Sequence, residues 1–61
     1  MRLVKIDGIY INPDRVDAVT PEYIQDVAIM GTAIFVGGSD VPYIVALDIE
    51  EVVKALTEGE V

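Results

Sequence analysis

Six residues of this chain have types and spacing suited to holding an anion: Lys5, Tyr10, Arg15, Gly37, Gly38 and Ser39. Lysine supplies a point charge, and arginine adds a planar fork of N–H donors that matches a phosphate or carboxylate. Tyrosine supplies a flat ring and a hydroxyl. Two glycines and a serine after an apolar run can present successive backbone N–H groups to an anion. The lysine and following helix of a P-loop are absent here, and the same Gly-Gly-Ser serves equally as a turn needing positive φ. Arg2, Lys5 and Arg15 are three of the four basic residues in the chain, all in its first quarter. They suit surface pairing with some of the eleven acidic residues just as well.

Covalent and acid–base chemistry finds little to work with. The chain has no histidine and no cysteine, so the commonest proton shuttle and the thiol nucleophile are missing. Asp14 with Asp17, and Asp40 with Asp48, are carboxylate pairs of the kind that hold a divalent cation or hydrolyse a bond. Each is explained as simply by the preference of aspartate for turns and helix caps. Ser39 has no neighbouring base. The expectation is a protein that is not an enzyme, with no catalytic residue, no metal site and no cofactor.

Charge narrows the partners. A net charge of −7 opposes binding to a nucleic-acid polymer, which needs a basic footprint. It equally opposes attachment to an anionic membrane. Apolar runs are only a few residues long, too short for a membrane-spanning helix. The first eight residues are charged and broken by Asp7-Gly8, unlike a signal peptide. A cytoplasmic location is therefore expected.

The elements that must position these residues can be read in chain order. Residues 2–6 and 9–12 form two strands joined by Asp7-Gly8, a pair strongly preferred in two-residue hairpin turns. Such a turn pairs Ile6 with Ile9, Lys5 with Tyr10 and Val4 with Ile11. The aliphatic residues then share one face, and Lys5 and Tyr10 share the other. Residues 12–15, Asn-Pro-Asp-Arg, form a turn. Residues 16–20 form a third strand, ended by Thr20-Pro21, in which Val16 and Ala18 fall on one face and Asp17 and Val19 on the other.

Residues 22–31 admit helix, strand or loop. Thr20 as N-cap with Pro21 at the first helical position starts a helix. Alternatively, 27–30 and 33–36 form a hairpin about Gly31-Thr32. That arrangement puts Val27, Ile29, Ile34 and Val36 on one face and Ala28, Met30, Ala33 and Phe35 on the other. An irregular start and a strand from residue 27 is the preferred reading. Tyr23 in this segment suits a loop over a pocket or a subunit contact. A loop over 37–40 and a strand over 43–46 follow, with Pro42 at the strand start.

The clearest element is a C-terminal helix over residues 48–57. Asp48 is the expected N-cap and Glu51 completes a capping box, while Leu47 and Val52 are placed to form a hydrophobic staple. Ile49, Val52, Val53 and Leu56 make one apolar stripe, and Gly59 is the expected stop. About three turns of helix are too short to be stable alone, so the helix must dock on a sheet.

The order of these motifs resembles a known family. Ile6-Asp7-Gly8, Ile11-Asn12, Val16 and Val19 before Pro21, residues 32–36, Tyr43-Ile44-Val45, then Glu51-Val52 and Leu56 are similar to the small FlbD/SwrD-type flagellar and swarming-motility proteins. They also look like short bacterial and phage proteins with an Asn-Pro-x-x-Val-x-x-Val-x-Pro centre. Relative to the motility proteins, residues 22–31 look like an insertion, and the acidic tail Glu58-Gly59-Glu60-Val61 replaces a basic one. The resemblance implies no catalytic residues.

Together these features predict a single α+β domain over residues 1–61, with one curved antiparallel sheet of five to six strands and the C-terminal helix. A chain of this size buries only about 60 % of its unfolded surface. Yet 52 % of its residues are apolar, more than one thin core can hide. Some of that surface is therefore expected between the subunits of a homo-oligomer. Two functions follow as expectations. One is a non-enzymatic interaction or adaptor module that binds itself and a protein partner. The other is an oligomeric, phage-type binder that sequesters a small anionic, nucleotide-like ligand.

Overall fold

The structure, a computed structural model, describes residues 2–58. Its architecture is α+β, with five strands and a C-terminal helix: β1 (Val4–Ile6), β2 (Ile9–Ile11), β3 (Val16–Ile24), β4 (Ile29–Val36), β5 (Tyr43–Val45) and α1 (Ile49–Glu58). The strands form two antiparallel sheets, a β1–β2 hairpin and a three-stranded β3–β4–β5 sheet, rather than one curved sheet. The separation has a local cause. After β2 the chain enters a 3-10 turn over Pro13–Arg15, with Asn12 accepting the Asp14 N–H on its side chain at 3.0 Å. Fixed φ at Pro13 turns the chain out of the hairpin. The Arg15 carbonyl then accepts the Gly37 N–H at 2.7 Å, which commits β3 to β4.

The β1–β2 register is Val4 with Ile11, Lys5 with Tyr10 and Ile6 with Ile9, as the Asp-Gly turn requires. Asp7 and Gly8 have φ of 50° and 87°, the positive values of a type I′ turn. Val4, Ile6 and Ile11 are buried, and Lys5 and Tyr10 are exposed.

β3 departs from expectation. It does not end at Pro21 but runs through it to Ile24, because β3 is an edge strand and proline is tolerated there. A bulge between Val16 and Ala18 makes Asp17 the extra residue. The bulge shifts the alternation by one, so Val16 and Val19 both pack against the core despite their spacing. Gly31-Thr32 is not a turn either. Both lie inside the continuous strand β4, and the true turn is 25–28, closed by the Ala28 N–H to the Gln25 carbonyl at 3.3 Å. Gly31 is glycine for a different reason: a Cβ there would collide with the Val45 carbonyl oxygen and the Ile24 side chain.

The register of β3, β4 and β5 assigns the two faces of the larger sheet. Tyr23, Pro21 and Val19 lie beside Met30, Thr32 and Ile34, with Tyr43 and Val45 beyond them on β5. This is the inner face. Its core joins Val4, Ile6 and Ile11 of the first hairpin to Ile34 of β4, Val45 of β5 and Val52 of α1. Val52 is fully buried, worth about 1.5–3 kcal/mol for a side chain of its type. Ile49, Ala55 and Leu56 are half-buried beside it, whereas Val53 is exposed. The stripe that docks α1 is thus narrower than the sequence suggests and shifted toward Ala55.

Two bonds hold the chain between β5 and α1. The Thr32 hydroxyl donates to the Leu47 carbonyl at 2.8 Å, and the Ala46 N–H donates to an Asp7 carboxylate oxygen at 2.9 Å. Asp7 therefore both makes the hairpin turn and ties that hairpin to the larger sheet. At the helix start, the N–H groups of Glu51 and Val52 donate to the Asp48 carbonyl, rather than Glu51 donating to the Asp48 carboxylate. The expected stop at Gly59 and most of the acidic tail lie outside the described residues. Among the described residues, no helix is long and apolar enough to cross a membrane.

Candidate functional site

Between the two sheets opens a pocket of about 270 Å³, lined by Tyr10, Ile11, Asn12, Arg15, Val36 and Tyr43. Each side chain arrives there for a local reason. Strict alternation in β2 turns Tyr10 away from the buried face, while the Ile11 side chain packs into the core behind the pocket. The 3-10 turn carries Asn12 and Arg15 to the rim. Val36 ends β4 and Tyr43 begins β5, on neighbouring strands of the other sheet.

Arg15 is held at both ends. Its N–H donates to the Asn12 carbonyl at 3.0 Å, and its guanidinium donates to the Gly37 carbonyl at 3.2 Å. With the bond from the Gly37 N–H to the Arg15 carbonyl, Arg15 and Gly37 are clasped together. A guanidinium has five N–H donors, so the bond to Gly37 orients the fork and leaves it able to bind. The Asn12 side-chain oxygen is engaged by Asp14, so Asn12 offers a ligand its NH₂ group.

Of the six residues singled out in the sequence, Tyr10 and Arg15 line this pocket and Gly37 is bonded to Arg15. Lys5 pairs with Tyr10 across the hairpin and is exposed, outside the lining set. Gly38 takes a positive φ of 80° in the turn. The Ser39 hydroxyl is occupied by the Val41 backbone, donating to its carbonyl at 3.1 Å and accepting its N–H at 3.3 Å. The Gly37 and Ser39 N–H groups are spent on the Arg15 and Val36 carbonyls, so this loop is a self-satisfied turn and not a cradle of free amides. Sequence reasoning missed Tyr43 and Asn12 as pocket residues. The capping preference of asparagine was a signal for Asn12. Tyr43 had none, because its approach to Tyr10 depends on how the two sheets pack. Among the described residues, no group of three or more acidic side chains is gathered to hold a metal ion.

A second feature is the outer face of the larger sheet. Ala18, Thr20, Glu22 and Ile24 of β3 lie beside Phe35, Ala33, Gly31 and Ile29 of β4, with Ile44 on β5. The first hairpin and α1 pack on the other side, against Ile34 and Val45. Ile29 is 40 % exposed and Ile44 48 % exposed, although both sit among apolar neighbours. At the far end of the β3–β4 hairpin, Tyr23, Val27 and Met30 are each more than half exposed. Of these, Ile29 and Ile44 belong to the outer face and Val27 to the turn, while Tyr23 and Met30 lie on the inner side of the same hairpin end.

No family model, no curated protein and no solved structure matches this chain.

Proposed function

We propose that this protein is a non-enzymatic interaction module, a homo-oligomer that also contacts a protein partner, with the outer face and far end of the β3–β4 hairpin as its contact surface. The observation that carries this reading is the exposure of apolar side chains on both sides of this part of the sheet: Ile29 and Ile44 on the outer face, Val27 in the turn, and Tyr23 and Met30 on the inner side of the hairpin's far end. Exposed apolar side chains that gather on one element, unlike those scattered singly, mark interaction surfaces. Composition supports the same reading: 52 % of residues are apolar, yet only seven apolar residues are buried among those described. The resemblance to small motility proteins is consistent with it, since it implies no catalytic residues. Direct extension of the sheet along β3 is disfavoured by Pro21, Asp17 and Glu22 on that edge, so the face rather than the edge is the contact. Native mass spectrometry at micromolar protein is the test. Dimers or higher oligomers are expected, with a partner retained when the protein is taken gently from a lysate. A spectrum of bare monomer under all such conditions would refute the proposal.

A further inference from the structure

The pocket between Tyr10 and Tyr43 is a separate feature from the apolar face, and its chemistry is of a different kind. We infer that it binds a small planar anion, of the size and type of a nucleoside monophosphate: one flat ring bearing one phosphate. The inference does not rest on the assembly proposed above.

Four observations converge on it. Two of the three tyrosines in the chain line this one pocket, at 65 % and 50 % exposure, so their rings are open to a ligand and not consumed by packing. Aromatic faces bind nucleobases by stacking, a contact that tolerates different bases because every base has a π-face. One of only four basic residues stands at the rim with its guanidinium oriented by Gly37. An oriented fork recognises phosphate oxygens in a plane, and holding it in place beforehand lowers the cost of binding. Asn12, whose oxygen is already engaged, contributes an NH₂ donor beside it. Val36, half-buried at the end of β4, gives apolar surface against which a ring can lie.

Size bounds the ligand. A volume of about 270 Å³ lies at the bottom of the range of roughly 300–1,000 Å³ usual for ligand pockets. That volume matches one ring system with its anionic group. Charge adds selectivity. In a chain of net charge −7, long-range repulsion disfavours anions in general. Only an anion whose ring also engages the tyrosines should gain enough to stay. Inorganic phosphate alone should bind poorly for that reason. An uncharged nucleoside should do so for want of the Arg15 contact.

The experiment is a titration of the full chain with adenosine 5′-monophosphate, followed by amide chemical shifts, with adenosine and inorganic phosphate as controls. Saturable binding is expected, with shifts concentrated on residues 10–15, 36–37 and 43. Each control should bind about tenfold more weakly or worse. Tyr10→Ala, at an exposed position that leaves the core untouched, should weaken the nucleotide about tenfold, as should Arg15→Gln. Should Arg15→Gln disturb the 37–39 turn, Tyr10→Ala still decides. The inference is overturned if the nucleotide does not saturate by low millimolar concentration. It is also overturned if Tyr10→Ala leaves the affinity unchanged, or if adenosine or phosphate alone binds as tightly.

Discussion

Hairpin β1–β2 keeps its aliphatic side chains on one face, whereas hairpin β3–β4 carries apolar side chains on both. In the first, Val4, Ile6 and Ile11 are buried while Lys5 and Tyr10 face water. In the second, Ile34 is buried on the inner side, yet Ile29 on the outer side and Val27 at the turn are exposed. Period-2 alternation is what a strand needs when one of its faces meets solvent. In β4 it is lost: on the outer side Gly31 and Ala33 are buried and Phe35 is half-buried, while Ile29 is exposed. This chain supplies a layer for the inner face, made of α1 and the first hairpin. The contrast teaches where to look for function: at Ile29 and Ile44, the outer-face apolar side chains that the described residues leave exposed.

Substitutions can break or sharpen this contrast. The largest effect is expected at Ile34, which is fully buried. Ile34→Ala should cost about 2–5 kcal/mol, read by urea denaturation, a large share of the total stability of so small a domain. Ile29→Ala on the opposite face should change the stability of the isolated chain far less, by about 1 kcal/mol at most. Equal losses at the two positions in monomeric protein would contradict the assignment of faces.

Next is Gly31→Ala, which forces a methyl group against the Val45 carbonyl and Ile24. A loss of about 1–3 kcal/mol is expected by denaturation. Thr32→Val keeps the shape but removes the hydroxyl that satisfies the Leu47 carbonyl. It should cost about 1–2 kcal/mol and loosen the start of α1, seen as faster amide exchange there. The smallest effect has the opposite sign. Ala28 closes the β3–β4 turn at a φ of 55°, where a Cβ is disfavoured by about 1–2 kcal/mol. Ala28→Gly relieves this and offsets part of the gain with backbone entropy, so a net stabilisation of up to about 1 kcal/mol is expected in thermal unfolding.

The same contrast explains what could be read in the sequence. The first hairpin was legible down to its register, because Asp7-Gly8 names its turn type and alternation then fixes the faces. The helix was legible from the spacing of Ile49, Val52 and Leu56, though not the exposure of Val53. The second hairpin was not legible, for three physical reasons. Pro21 and Gly31 look like punctuation but sit inside strands, one tolerated on an edge and the other required by a close carbonyl. The true turn over 25–28 has neither glycine nor asparagine at its left-handed position, so it carries no local signal. The bulge at Asp17 breaks the alternation that would have shown which side of β3 faces inward. Splitting into two sheets also escaped the sequence, since the bond between Arg15 and Gly37 spans 22 positions. In the pocket, Tyr10 and Arg15 could be singled out by type, while Tyr43 joined them only through the packing of the two sheets.

The central claim is that the outer face of β3–β4 is completed by another copy of the chain. The most direct test is thermal unfolding across about a hundredfold range of protein concentration, for the wild-type chain and for Ile29→Lys. Stability drawn from association rises with concentration, because the partner acts as a ligand for the folded state. The wild-type Tm should climb across the series, while the Ile29→Lys variant should fold as a monomer with a Tm that stays constant. A wild-type Tm independent of concentration throughout, at or below that of the variant, would contradict the claim.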